Sequence, residues 1–156
     1  MKGLLHTSMV LLLLTLITSC GVGGGMSFET VEDASKNLNG TVWADKNVLN
    51  KIEFANGAMI GYEATTNGEW KRVWFYRYRL EQYHYVDNQK PFVHIESIEK
   101  GYTDLPALQF HIGNSPSGHW ALVIPLPSDN DDYMYLWQTS TRDVRVGDKS
   151  VLLIHQ

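Results

Sequence analysis

The chain has 156 residues, a net charge of −4 and a single cysteine. This length fits one domain with a hydrophobic core of its own. The acidic balance argues against nucleic acid as a partner, because nucleic-acid-binding surfaces are basic, and one cysteine excludes an intrachain disulfide.

The first 19 residues have the pattern of a secretory signal peptide. Lys2 precedes an apolar run from Met9 to Ile17 that only Thr15 interrupts. This run is too short to cross a membrane as a helix, which takes ~20 residues. A basic start, a short apolar core and small residues at the exit are typical of a cleaved signal. We therefore expect residues 1–19 to be removed.

The residues around Cys20 resemble the lipobox of bacterial lipoproteins. The family pattern is an aliphatic residue, two small residues and a cysteine, matched by Ile17, Thr18, Ser19 and Cys20. The resemblance implies cleavage after Ser19, lipid attachment at Cys20 and a membrane as partner. Gly21 stands where inner-membrane retention uses aspartate. The resemblance therefore implies an outer-membrane lipoprotein, facing the periplasm or the cell surface.

The remaining chain is expected to be a tether and one domain. Residues 20–26 are rich in glycine, as in flexible linkers. Residues 27–156 contain neither an internal repeat nor a second linker. Within them, apolar residues recur at helical spacing over 27–40. Ser27 or Thr30 can cap this predicted helix, and Asp33 completes a capping box with Thr30.

Everything after Gly40 has the pattern of strands and turns. Asn56-Gly57 and Asn67-Gly68 are hairpin signals, and a Gly147-Asp148 turn separates the last two predicted strands. The expected strands lie at 41–43, 51–54, 58–64, 69–80, 92–98, 108–112, 119–124, 133–137, 142–146 and 150–155. Evenly spaced short strands predict an all-β domain, an antiparallel barrel of eight to ten strands or alternatively a β-sandwich.

The start of the domain resembles that of lipocalin-like barrels. A short helix is followed by Gly40 and Trp43, although Thr41 and Val42 intervene where the family has one residue. The resemblance implies a calycin-type barrel with Trp43 closing one end.

The strand at 69–80 provides the main candidate binding wall. Strict alternation puts its aromatic side chains on one face, with Arg72 as a polar contact. The alternative is an ordinary core face, because eight-stranded barrels are often filled by their own side chains. The candidate residues on this face are Trp70, Arg72, Trp74, Tyr76 and Tyr78.

A second aromatic strand is expected to complete this wall. Tyr133, Tyr135 and Trp137 share one face, and Trp120 is expected beside them. The alternatives are core packing, or an outward surface on which sugar rings stack.

Neither a metal site nor a catalytic site is predicted. His94 and Glu96 share a strand face, and His111 and His119 flank one loop, but nothing in this spacing forces three or four ligands to converge. No nucleophile stands in a catalytic motif, so no enzyme activity and no cofactor are expected.

The patterns favour a lipid-anchored binding module that holds a small apolar or amphipathic ligand. The alternative is an envelope inhibitor or accessory subunit that binds a protein through an exposed basic strand edge at Lys71, Arg77 and Arg79. A small hydrolase is a third hypothesis, which needs two titratable groups converging in a cleft.

Overall fold

The computed structural model describes residues 26–83, 92–99, 109–114, 118–126 and 132–155. The predicted signal peptide (1–19), Cys20 and the tether up to residue 25 lie outside the described residues. No helix within the described ranges is long and apolar enough to span a membrane.

The N-terminal helix is shorter than the sequence predicts. Helix α1 covers Val31–Asn37, and Thr30 is its N-cap. The Thr30 hydroxyl accepts a hydrogen bond from the Asp33 backbone N–H at 3.1 Å and donates to the Asp33 carboxylate at 2.8 Å. Thr30 therefore caps the helix, which leaves Ser27 and Phe28 in the segment before it.

Eight antiparallel strands form a closed barrel. Each strand pairs with the next, and β8 returns to β1 through Trp43 opposite Gln138 and Ala44 opposite Trp137. The predicted all-β barrel is confirmed, and the sandwich alternative is excluded. The strands are β1 (Val42–Ala44), β2 (Asn50–Ala55), β3 (Ala58–Ala64), β4 (Trp70–Tyr83), β5 (Phe92–Glu99), β6 (Gln109–Asn114), β7 (Trp120–Pro125) and β8 (Tyr133–Gln138).

The hairpin signals are confirmed by the backbone. Asn56 and Gly57 join β2 to β3 with φ values of 53° and 74°. Both central residues of a type I′ turn need positive φ, which asparagine and glycine adopt at low cost. Gly68, between β3 and β4, has a φ of 77°.

The two ends of the barrel differ. Because consecutive strands are antiparallel neighbours, β2, β4 and β6 finish at one end of the barrel, and β1, β3, β5 and β7 finish at the other. Helix α1 packs at the first end, where the Val31 N–H donates to the Gln82 side-chain oxygen at 3.0 Å. We call this the helix end and the opposite one the far end.

Aromatic side chains fill the barrel near the helix end. The Phe28 ring makes edge-to-face contacts with Trp43 at 5.4 Å and Trp120 at 5.6 Å between centroids. The Trp43 indole N–H donates to the Thr41 hydroxyl at 2.8 Å, so its polar atom is satisfied inside the core. Trp43 is therefore fully buried in the core near this end.

The prediction of two C-terminal strands, at 142–146 and 150–155, is wrong. This segment instead contains two 3₁₀ helices, Lys149–Val151 and Leu153–His155. The pairing of β8 with β1 leaves no free edge for further strands, so the segment packs its apolar side chains on the outer wall. The predicted turn is present, since Gly147 has a φ of 77°. The residues of this outer cluster are Val42, Ala44, Val48, Val144, Val151 and Leu152, with Trp70, Trp137 and Ile154 packed against them.

Candidate functional site

A bulge in β4 divides the predicted aromatic face. Trp74 lies opposite Gly61, whereas Arg72 lies opposite Tyr62, so Val73 is an extra residue in the ladder. Because of the extra residue, the side chains before the bulge point to the face opposite to the one that strict alternation predicts. The expected single face is therefore wrong: Trp74, Tyr76 and Tyr78 pack with the barrel core, and Trp70 packs with the outer cluster.

Trp70 and Arg72 lie outside the barrel. The Trp70 indole N–H donates to the Val144 carbonyl oxygen at 2.6 Å, and Arg72 is exposed. The Lys51 ammonium nitrogen lies 4.7 Å from the Tyr62 ring centroid and 4.9 Å from the Trp70 ring centroid. Burial lowers the pKa of Lys51. Trp70 therefore holds the C-terminal segment and a buried cation on the outer wall.

The second aromatic wall is also divided. Trp120 packs with the core at the helix end. Met134 and Leu136 of β8 face inward with that core, so Tyr135 and Trp137, at the alternate positions, face outward. The Tyr135 and Trp137 rings are stacked, with centroids 6.1 Å apart. The prediction that these residues line one wall with Trp120 is wrong.

A cavity of about 150 Å³ lies in the barrel at the far end. One side is the Trp74 indole, which lies against Gly61, where a side chain would overlap it. The opposite side comes from the starts of β6 and β8 and the end of β7. The inward-facing apolar residues that line this cavity are Ile52, Trp74, Phe110, Ile124, Met134 and Leu136.

Polar groups border one side of this cavity. Asn50 and Glu63 lie opposite one another on β2 and β3, and both line it. The Asn50 side-chain amide nitrogen donates to the Asp45 carboxylate at 2.8 Å, and the Asn50 side-chain oxygen is a hydrogen-bond acceptor. The Glu63 side chain is exposed. Lys51 and Tyr62 line the cavity as well, so it combines an apolar interior with both hydrogen-bond donors and acceptors at its edge.

Below the cavity the barrel is packed. The rings of Phe54 and Tyr78 meet edge to face at 5.3 Å, and Phe54, Met59 and Tyr76 are fully buried. Burial also raises the pKa of Tyr78. In the part of the barrel that the structure describes, the interior next to the far-end cavity is therefore filled by these side chains.

A second cavity of about 170 Å³ lies outside the helix end. Trp137 lines it, and the Trp137 indole nitrogen is buried without a hydrogen-bond partner. The lining residues are Met26, His119, Trp120, Trp137, Gln138, Leu153 and Ile154. This cavity lies between the first described residue and the C-terminal segment.

One pair of titratable residues was not predicted from the sequence. The register places His94 of β5 directly opposite His111 of β6. The sequence signal was present, because both residues alternate with apolar neighbours, but the pairing of their strands was needed to join them. Within the described ranges, no group of three or more His, Cys, Asp or Glu side chains is arranged to hold a metal ion.

No family model matches this chain, and no curated protein or solved structure matches it either. The barrel architecture is therefore established by the strand pairing alone.

Proposed function

We propose that this protein is a membrane-anchored lipoprotein of the cell envelope whose barrel holds a small apolar group in the far-end cavity. The observation that carries the proposal is the cavity itself, since a barrel filled throughout by its own side chains has no room for a ligand. The order of a short helix followed by an eight-stranded barrel also supports the lipocalin-like resemblance.

The size of the cavity limits the ligand. Pockets for drug-sized molecules are roughly 300–1,000 Å³, about twice this volume or more. An apolar cavity of roughly 150 Å³ holds a benzene-sized ring. We therefore propose an aromatic ring or a short hydrocarbon end as the buried part, with any polar portion at the edge near Asn50 and Glu63.

The proposed anchor joins the protein at the opposite end from the cavity. Met26 follows the proposed lipidated Cys20 by six residues, and the Gln138 amide nitrogen lies 3.4 Å from the Met26 sulfur at the helix end. Lipid on Cys20 thus attaches the helix end to the membrane, for which an outer membrane is our proposed location. The far end is then directed away from the point of attachment.

A protein-binding envelope lipoprotein is the second candidate, favoured by exposed apolar side chains. Leu49, Ile98, Leu126 and Tyr133 are 42–56% exposed, and all four lie at the far end. The basic strand edge does not support this candidate in the form expected from the sequence. Arg79 contacts both Glu81 and Glu96, and β4 has neighbours on both sides in the closed barrel.

Two isoleucine-to-phenylalanine variants test the cavity proposal. Ile124→Phe adds volume inside the cavity, whereas Ile98→Phe adds the same volume at a site that is 56% exposed. Binding of benzene and toluene is measured by the shift in thermal unfolding temperature, since a ligand that binds only the folded state raises it. We expect stabilisation of the wild type and of Ile98→Phe, and none of Ile124→Phe. No stabilisation of the wild type, or equal stabilisation of all three proteins, contradicts the proposal.

A further inference from the structure

The histidine pair lies on the outer wall of the barrel, away from the cavity. Val93 and Ile95 flank His94, Phe110 and Ile112 flank His111, and all four flanking residues are buried in the barrel core. Since side chains alternate along a strand, both imidazoles point outward. Both histidines are partly exposed, so an ion in solution has access to them.

The register brings the two side chains within chelating range. Residues directly opposite one another on antiparallel strands have Cβ atoms about 4.5–5.5 Å apart. Two imidazole nitrogens that share a metal at ~2.0–2.1 Å are separated by roughly 3–3.5 Å, a distance that side chains at such positions reach by rotation. A Cβ atom placed on Gly113 would lie 3.5 Å from the His111 ring. The absent side chain at Gly113 therefore leaves the His111 ring space to turn.

We propose that His94 and His111 form a surface site for a divalent transition-metal ion, with copper preferred over nickel and zinc. Imidazole suits these three metals, and copper(II) binds a given set of nitrogen ligands most tightly. Glu81 lies opposite His94 on the side away from His111, and its carboxylate contacts Arg79 at 3.1 Å. Among the described residues, His94 and His111 are therefore the two protein ligands of the proposed site, and water completes the coordination.

The test is a copper(II) titration of the purified protein without a polyhistidine tag. The matched variants are His94→Ala, His111→Ala and, as control, His119→Ala, which removes a partly exposed histidine outside the pair. We expect each of the first two to lower copper affinity at least about tenfold, which is ~1.4 kcal/mol, and the control to bind as the wild type does.

Electron paramagnetic resonance of the bound copper(II) distinguishes histidines that bind the metal from histidines that only support the fold. We expect hyperfine coupling to two imidazole nitrogens in the wild type and in His119→Ala, and to one in each single variant of the pair. Circular dichroism checks that the variants are folded. Copper affinity unchanged in His94→Ala and His111→Ala, or coupling to a single imidazole in the wild type, overturns the proposal.

Discussion

Substitution of Gly61 by alanine tests the placement of the Trp74 indole, which forms one side of the cavity. A Cβ atom at Gly61 would lie 2.0 Å from Cε2 of Trp74 and 2.4 Å from its Cζ2. Carbon atoms in contact are about 3.5–4.0 Å apart, so the ring must retreat by about 1.5 Å. Overpacking of this kind costs about 1–3 kcal/mol, which lowers the unfolding temperature by roughly 3–10 °C for a domain of this size.

Gly113→Ala is the matched control. Gly113 also lies in a strand, and neither glycine has a positive φ, but the nearest atom to its Cβ is 3.5 Å away, an ordinary contact. Alanine in place of glycine restricts the unfolded chain and stabilises by about 0.4–1 kcal/mol where nothing clashes. Thermal unfolding followed by circular dichroism therefore separates the two variants in opposite directions. A Gly61→Ala protein that is as stable as Gly113→Ala refutes the packing of Trp74 on Gly61.

Three further predictions concern the helix cap, the cavity wall and the histidine pair. Thr30→Ala removes the N-cap hydrogen bond and lowers the unfolding free energy by about 1 kcal/mol in urea titrations, whereas Ser35→Ala, at an exposed helical position, has no such effect. Leu136→Ala removes a side chain that is 1% exposed and costs about 2–5 kcal/mol, but Leu126→Ala, at a site that is 42% exposed, changes stability by less than about 0.5 kcal/mol; equal effects contradict the assigned burial. Because the pKa of His111 is lowered from 6.5 on folding, the unfolded chain binds the proton more readily, so the unfolding free energy falls as pH drops below about 6.5. We expect His111→Gln to lose less unfolding free energy than the wild type between pH 7 and pH 5. Equal losses in the two proteins contradict the lowered pKa of His111.

Local signals in the sequence predicted most of the barrel. Asn56-Gly57 fixed one hairpin because a two-residue turn of this type requires positive φ, and β3 begins and ends at the predicted residues. The prediction of two C-terminal strands was wrong because it depends on tertiary structure. Residues 142–155 are as apolar as strands require, but whether they pair depends on whether the barrel has already closed, which no local pattern reveals.

The site was predicted less well than the fold. The aromatic pattern of β4 predicted that Trp74 lines an interior space, and Trp74 lies at the cavity. Trp70 and Arg72 were predicted on the same face because unbroken alternation along the strand puts them there. The bulge at Val73 arises from the pairing with β3, so the reversal is invisible in β4 alone. The His94–His111 pair was missed for the same reason, since register is a property of two strands.

The most direct test of the proposed function is the intact mass of the protein extracted from the membranes of its native host in mild detergent. We predict a chain that begins at an acylated Cys20 and carries a noncovalently bound small molecule, which Ile124→Phe lacks and Ile98→Phe retains. A chain with an unmodified Cys20 contradicts the lipid anchor. An acylated chain with no bound molecule, and with none acquired on exposure to small aromatic compounds, contradicts the binding function.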